Sequence, residues 1–290
     1  MGVDTKLTES QLAAVDHFEG PLLVVAGPGS GKTRVITRRI ARLIDRGVHP
    51  DEILAITFTN KAARVMSERV QSLLPRSFVW VSTFHRLCAR LLRQYASVVG
   101  LSPNFSIYDV ADQTTLMKGV LHEMDIDSTH FPPAKLLGKI GKLKNELVTA
   151  DVYAARQSLS VGNHLDAVVA RVYPAYQKQL LESNAVDFDD LLMLTVEVLK
   201  RFPEAREKWE KSFRYVLVDE YQDTNHAQYT LLQLLTAKHR NLMVVGDPDQ
   251  SVYGFRGADI RNILEFEKDY KDTRVIPLEQ SSETGVHRGG

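Results

Sequence analysis

The chain has 290 residues, enough for one large domain or two smaller ones. It is 44% hydrophobic and 25% charged, and its 36 Lys+Arg balance its 36 Asp+Glu. That balance argues against a protein that coats nucleic acid by bulk positive charge, while leaving room for a local basic groove. The single cysteine, Cys88, excludes an internal disulfide and a cysteine-based zinc site, and it fits a reducing compartment. The nine histidines show no paired metal-ligand spacing. The N-terminal "MGVDTKLTESQ" lacks a signal peptide's apolar core, and no apolar run reaches the roughly 18 residues that span a membrane. The expectation is a cytoplasmic protein with no membrane partner.

In chain order, "LTESQLAAVDHFEG" predicts a helix capped by Thr8 and closed by Gly20. "PLLVVAG" is a short continuous apolar run, as in a strand buried on both faces of a parallel sheet. "KTRVITRRIARLIDRG" predicts a helix with apolar Val35, Ile36, Ile40, Leu43 and Ile44; Arg38, Arg39, Arg42 and Arg46 read as surface charge. "ILAITFT" and "FVWVSTF" predict two more strands, each followed by a helix, "NKAARVMSERVQSLL" and "HRLCARLLRQYA". Strands alternating with helices at this spacing indicate βαβ units.

From about residue 105 to 185 the pattern is mostly helical, with Pro132, Pro133 and Pro174 as expected breaks. Within it, Lys135, Lys139 and Lys142 fall on one helical face, either a solvated face or a contact with a nucleic-acid backbone. Strand patterns return at "YVLVDE", "NLMVVGD" and more weakly "TRVIPLE". The simplest account is an α/β fold with a parallel sheet, formed by residues 1–104 and 186–280 and interrupted by a mainly helical insertion at 105–185.

"AGPGSGKT" follows a strand and opens a helix, the context a phosphate-binding loop requires. Ala26, Gly27, Pro28, Gly29, Ser30 and Gly31 would turn backbone N–H groups around phosphate oxygens, at a helix N-terminus with its partial positive charge. Lys32 would reach the β- and γ-phosphates, and the Thr33 hydroxyl could ligate Mg²⁺. The strictest spelling has Gly where this chain has Ala26. Asp219 and Glu220 end an apolar strand, at the sheet edge where ligands bind in parallel α/β folds. Asp219 would hold Mg²⁺ through water, and Glu220 could polarise the attacking water. ATP and Mg²⁺ are the expected cofactors.

Longer words accompany that loop: "LTESQLAAV", "ITFTNKAA", "STFHRL", "VDFDDLL", "VDEYQDTN" and "VGDPDQSVYGFRGAD". Together and in this order they closely resemble the UvrD/PcrA/Rep-type superfamily 1 DNA helicases, from about Leu7 to Gln280. The resemblance implies a RecA-like P-loop domain with a helical accessory subdomain. It implies that Gln11 reads adenine, Arg34 packs on it, and Gln250 contacts the γ-phosphate. It implies that Phe58, His85, Tyr253 and Phe255 line a single-strand path, though ordinary core packing is the alternative for Phe58 and Phe255. Relatives often carry Arg and Trp where this chain has Gly254 and Phe255. The implied activity is ATP-dependent 3′→5′ movement on single-stranded DNA and unwinding at single-strand/duplex junctions, in repair or replication.

The same resemblance implies a second motor domain supplying arginines to the γ-phosphate. "LEQ" is followed by "SSETGVHRGG", where the family pattern continues with Tyr and Arg. Residues 281–290 are therefore expected to be a disordered or foreign tail, a truncation, frameshift or scar, and the chain alone is expected to bind ATP–Mg²⁺ and DNA weakly with little turnover. Two alternatives stay open: the motor part of a recombination-type helicase–nuclease, and a shorter nucleotide- or DNA-binding protein without motor activity. A P-loop ATPase acting on small molecules would leave the other words unexplained.

Overall fold

The structure, a computed structural model, describes residues 7–158, 163–247 and 266–278. The chain begins with helix α1 (Glu9–Asp16), strand β1 (Leu22–Ala26), helix α2 (Lys32–Asp45), strand β2 (Ile53–Thr57), helix α3 (Asn60–Leu73), strand β3 (Trp80–Thr83) and helix α4 (Phe84–Gln94). It continues through β4 (Ser106–Ile107), α5 (Val110–Glu123), α6 (Pro133–Asn145), α7 (Ala150–Ser158), α8 (His164–Glu182) and β5 (Ala185–Val186). Helices α9 (Phe188–Arg201) and α10 (Pro203–Ser212), strand β6 (Tyr215–Val218), helix α11 (His226–Leu235) and strands β7 (Leu242–Gly246) and β8 (Arg274–Leu278) complete it.

Six of these strands form one parallel sheet in the order β3-β2-β6-β7-β1-β8. In register, Val24 of β1 lies between Val245 of β7 and Ile276 of β8. Strands β2, β6 and β7 are buried along their whole length and β1 at all but Val25, which is why they read as unbroken apolar runs rather than alternating ones. The mixed α/β class expected from the sequence, with its parallel sheet, is what the chain adopts. Because every strand points the same way, the carboxyl ends of β1, β6 and β7 share one edge.

The described residues divide into two compact units. One lies within Met1–Thr83, Lys208–Thr224 and Leu235–Gly290 and holds this sheet; the other lies within Phe84–Glu207 and Asn225–Leu234. The second unit is helical around a two-stranded parallel pair, β4 with β5, which ties residues 106–107 to 185–186. Its core is built on fully buried Tyr173 and Tyr176 with Leu136, Ile140 and Val169. Among its described residues and those of the first unit, no helix is long and apolar enough to cross a membrane.

Two local expectations need correction. Pro174 does not break the chain but sits inside α8. It forfeits one backbone hydrogen bond, but Val172, Tyr173, Tyr176 and Leu180 bury one face of the helix and carry it through. Arg39 is not surface charge: it is 2% exposed, and its guanidinium donates to the Ala14 carbonyl at 3.1 Å and the Phe18 carbonyl at 3.5 Å, closing the C-terminal end of α1. On α6, Lys139 pairs with Asp166 at 3.1 Å and Lys142 reaches Glu146 at 4.0 Å, while Lys135 is exposed.

Candidate active site

The turn after β1 carries Gly29 and Gly31 at φ +75° and +84°, a left-handed region that side chains with a Cβ rarely enter. Gly31 is also a close approach: a Cβ there would sit 3.0 Å from Gln11 Nε2. Ser30 is fully buried and folds the turn inward, its hydroxyl donating to the Gly27 carbonyl at 2.7 Å. Ala26 ends β1 inside the core, where a methyl group is accommodated. Helix α2 starts at Lys32 with no side chain capping its N-terminus, so its first N–H groups face the turn as an anion site. A cavity of about 240 Å³ opens there, lined by Gly29, Ser30, Gly31, Lys32, Thr33, Arg34 and Arg69.

Gln11 is fixed before any ligand arrives. It is the third residue of α1, in a reciprocal cap: its N–H donates to Thr8 Oγ1 at 3.2 Å and its Oε1 accepts the Thr8 N–H at 3.1 Å. Its Nε2 donates to the Ser30 carbonyl at 2.9 Å. Each amide atom retains capacity for one more bond, as a donor and as an acceptor.

The sheet brings the second cluster to the same place. Asp219 and Glu220 leave β6, separated from β1 by one strand. Lys32 Nζ lies 3.0 Å from Glu220 Oε2, and Thr33 Oγ1 donates to Asp219 Oδ2 at 3.4 Å. Asp219 is 5% exposed; burial, and then the neighbouring Glu220 charge, push its carboxyl up to about 6. Lys32 and the Thr33 hydroxyl offset that only in part. A buried carboxylate short of positive charge beside a hydroxyl is a donor set suited to a hard cation such as Mg²⁺. Among the described residues, no group of three or more His, Cys, Asp or Glu could hold a metal by itself, so phosphate oxygens and water would complete its shell.

Phe58 follows the carboxyl end of β2 and is half-buried. His85, in the second unit, is half-buried on α4, its ring 5.8 Å from that of Phe188 and nearly perpendicular to it. Phe188, first residue of α9, is 46% exposed. Gln250, Tyr253 and Phe255 lie outside the described residues. The sequence reading passed over Arg69, Phe188 and Gln222. Phe188 stood in a quoted word, and its signal was an aromatic at a helix start. Arg69 carried none, since only packing of α3 beside the turn brings it to the cavity.

Comparison with known proteins agrees with this geometry. Residues 7–271 match the family described as the UvrD/REP helicase N-terminal domain. The ATP-dependent DNA helicase PcrA of Staphylococcus aureus is 52% identical over 278 residues, 95% of this chain and 38% of that protein. PcrA of Bacillus subtilis is 50% identical over 278 residues, covering 95% and 37%. PcrA of Leuconostoc citreum is 48% identical over 279 residues, again covering 95% and 37%. The chain thus spans little more than a third of the length of these relatives. The match takes in the glycine-rich turn after β1, the Asp219–Glu220 pair and the helices between them, and by it the chain belongs to the UvrD/REP helicase family, as its N-terminal domain.

Proposed function

We propose that the chain is the ATP-binding part of an ATP-dependent 3′→5′ DNA helicase that moves on single-stranded DNA and unwinds duplex at junctions in repair or replication. The observation that carries this is the meeting of Lys32 with Glu220 at 3.0 Å and Thr33 with Asp219 at 3.4 Å, across 186 to 188 residues of sequence. High identity to proteins named as DNA helicases supports the DNA half of the reading.

In this reading the turn from Ala26 to Thr33 wraps the phosphates, and Gln11 and Arg34 hold the adenine. Lys32 exchanges Glu220 for the β- and γ-phosphate oxygens. Thr33 and Asp219 would hold Mg²⁺, which neutralises charge on the phosphates. Glu220, freed from Lys32, takes a proton from the attacking water. The water oxygen bonds to the γ-phosphorus, the bond to the β-phosphate oxygen breaks, and ADP and phosphate leave. Gln250 senses the γ-phosphate. Phe58, His85, Tyr253 and Phe255 face single-stranded DNA, where aromatic faces accept any base. Residues 105–185 serve as the accessory subdomain. An arginine from a second motor domain contributes about 10³–10⁵ in rate in such enzymes, so the chain by itself turns ATP over slowly and binds ATP–Mg²⁺ and DNA weakly.

The test is titration of the chain with a fluorescent ATP analogue, with Mg²⁺ and with excess chelator. Mg²⁺-dependent binding that Lys32→Ala removes, with an unchanged melting temperature, is expected. Equal binding by Lys32→Ala sinks the reading.

A further inference from the structure

Gln222 lies two residues beyond Glu220 and is 2% exposed. Its Nε2 donates to Glu220 Oε2 at 2.7 Å, and its Oε1 accepts the N–H of Asp247, the first residue after β7, at 3.0 Å. The amide cannot be turned over. A backbone N–H can only donate and an ionised carboxylate can only accept, so each end has one possible partner. Strand β7 is shaped to this contact: a Cβ at Gly246 would stand 3.1 Å from Gln222 Oε1 and 3.3 Å from its backbone nitrogen.

We propose that Gln222 is a positioning residue for Glu220, holding the carboxylate by one oxygen and anchoring it to the backbone where the chain leaves β7. The inference rests on the reading of Glu220 as the carboxylate that polarises water. Both donors to Glu220, Lys32 Nζ and Gln222 Nε2, meet the same oxygen, and among the described residues none meets Oε1. Oε1 is therefore the oxygen left to receive the water's proton. When phosphate draws Lys32 away, Gln222 keeps Oε2 in place. A neutral amide suits that task, because a hydrogen bond from an uncharged donor weakens the base less than an ammonium does. The anchor at Asp247 also ties the base to the end of β7.

The experiment uses the full chain in excess over radiolabelled ATP–Mg²⁺, following a single turnover. Gln222→Met keeps the side chain's length and removes both bonds. It should slow hydrolysis by about 10- to 100-fold, the scale of a misplaced catalytic group, and leave ATP affinity within twofold. In a Glu220→Gln background it should slow hydrolysis no further, because both changes act through one carboxylate. Gln222→Glu retains an acceptor for Asp247 but opposes Glu220; it should slow hydrolysis while leaving hydrogen exchange at the Asp247 N–H protected. Gln222→Met should raise that exchange at least tenfold, with or without nucleotide. A wild-type rate for Gln222→Met, multiplying effects in the Glu220→Gln background, or unchanged exchange at Asp247 overturns the inference alone. A wild-type chain that neither binds nor hydrolyses ATP–Mg²⁺ overturns the functional reading and the inference with it.

Discussion

Replacing Lys144 by methionine should open the helical unit. Lys144 is fully buried, with Nζ 2.6 Å from Asp187 Oδ2 and 2.8 Å from Asp190 Oδ1. The Tyr176 hydroxyl also donates to Asp187 at 3.1 Å and the Gln177 amide to Asp190 at 2.9 Å. The two carboxylates cap α9 reciprocally. Removing that cation leaves two buried carboxylates that meet, among the described residues, neutral donors alone, a change that costs about 3–5 kcal/mol. The assay is built into the chain: Cys88, its one cysteine, is fully buried in the same unit, and burial pushes its thiol up to about 12. A thiol reagent then reacts only through opening, and where reclosing is fast the rate follows the opening equilibrium. At tenfold per 1.4 kcal/mol, labelling should rise about a hundred- to several-thousandfold at pH 8. The pH dependence has a definite sign. Burial first, and the Asp187 charge second, push Asp190 up to about 6 in the fold, so its stabilising contribution is complete below the ordinary carboxylate range and lost as pH rises through about 6. Asp187 is shifted down and titrates below that window. Without Lys144 the Asp190 window moves higher, so the penalty should be smaller at pH 5.5 than at pH 8. A rise in labelling below fivefold at pH 8, or a penalty that grows on acidification, refutes the reasoning.

Gly31→Ala combines the strained φ with the contact to Gln11 Nε2 and should lose about 1–2 kcal/mol together with ATP binding, whereas Gly29→Ala, with open space around its Cβ, should carry the backbone strain alone; melting curves and nucleotide titrations rank the two. Arg39→Met uncaps Ala14 and Phe18 and should cost about 1.5–3 kcal/mol in chemical denaturation, and Arg39→Lys should restore little, since one ammonium lacks the fork that meets both carbonyls. His85→Ala and Phe188→Ala should each weaken binding of a labelled oligothymidine by about 1–3 kcal/mol in anisotropy while leaving ATP affinity unchanged; unaltered DNA affinity in both refutes a stacking role.

Much of the fold was legible because its signals are local. Continuous apolar runs such as "LLVVA" and "ILAIT" mark strands buried on two faces, and the Thr8 cap sits within three residues of the atoms it satisfies. The glycine-rich turn after β1 was legible for the same reason: Gly29 and Gly31 answer a backbone requirement of the turn itself. What escaped was set by packing at a distance. Nothing near Arg39 in the sequence announces the carbonyls of α1, and a lysine among Lys135, Lys139 and Lys142 looks no different from Lys144, which only the approach of α9 makes internal. Pro174 was misread because propensity spoke for a break, while four buried neighbours spoke more strongly for the helix. Gln222 was legible as a letter in a word, yet its bond to Asp247 depends on β6 lying beside β7, which no local pattern encodes.

Glu220 shows how the sheet and the chemistry meet. It is a non-glycine residue at φ +51°, a conformation that costs about 1–3 kcal/mol. Its N–H donates to Asp219 Oδ1 at 3.0 Å and its carbonyl accepts from Asp223 N–H at 2.9 Å, so the turn is closed on both sides. Its side chain is held by Lys32 from β1's turn and by Gln222, itself tied to β7. Glycine would adopt the same φ without that cost but would forfeit the contacts to Lys32 and Gln222. Leu147 and Arg240 hold φ of +58° and +57° as well, so a left-handed φ alone marks no function; what sets Glu220 apart is that its carboxylate meets a lysine from the turn after β1 and an amide tied to the end of β7. From that left-handed turn the carboxylate meets Lys32 Nζ at 3.0 Å, across the β7 strand that separates β6 from β1.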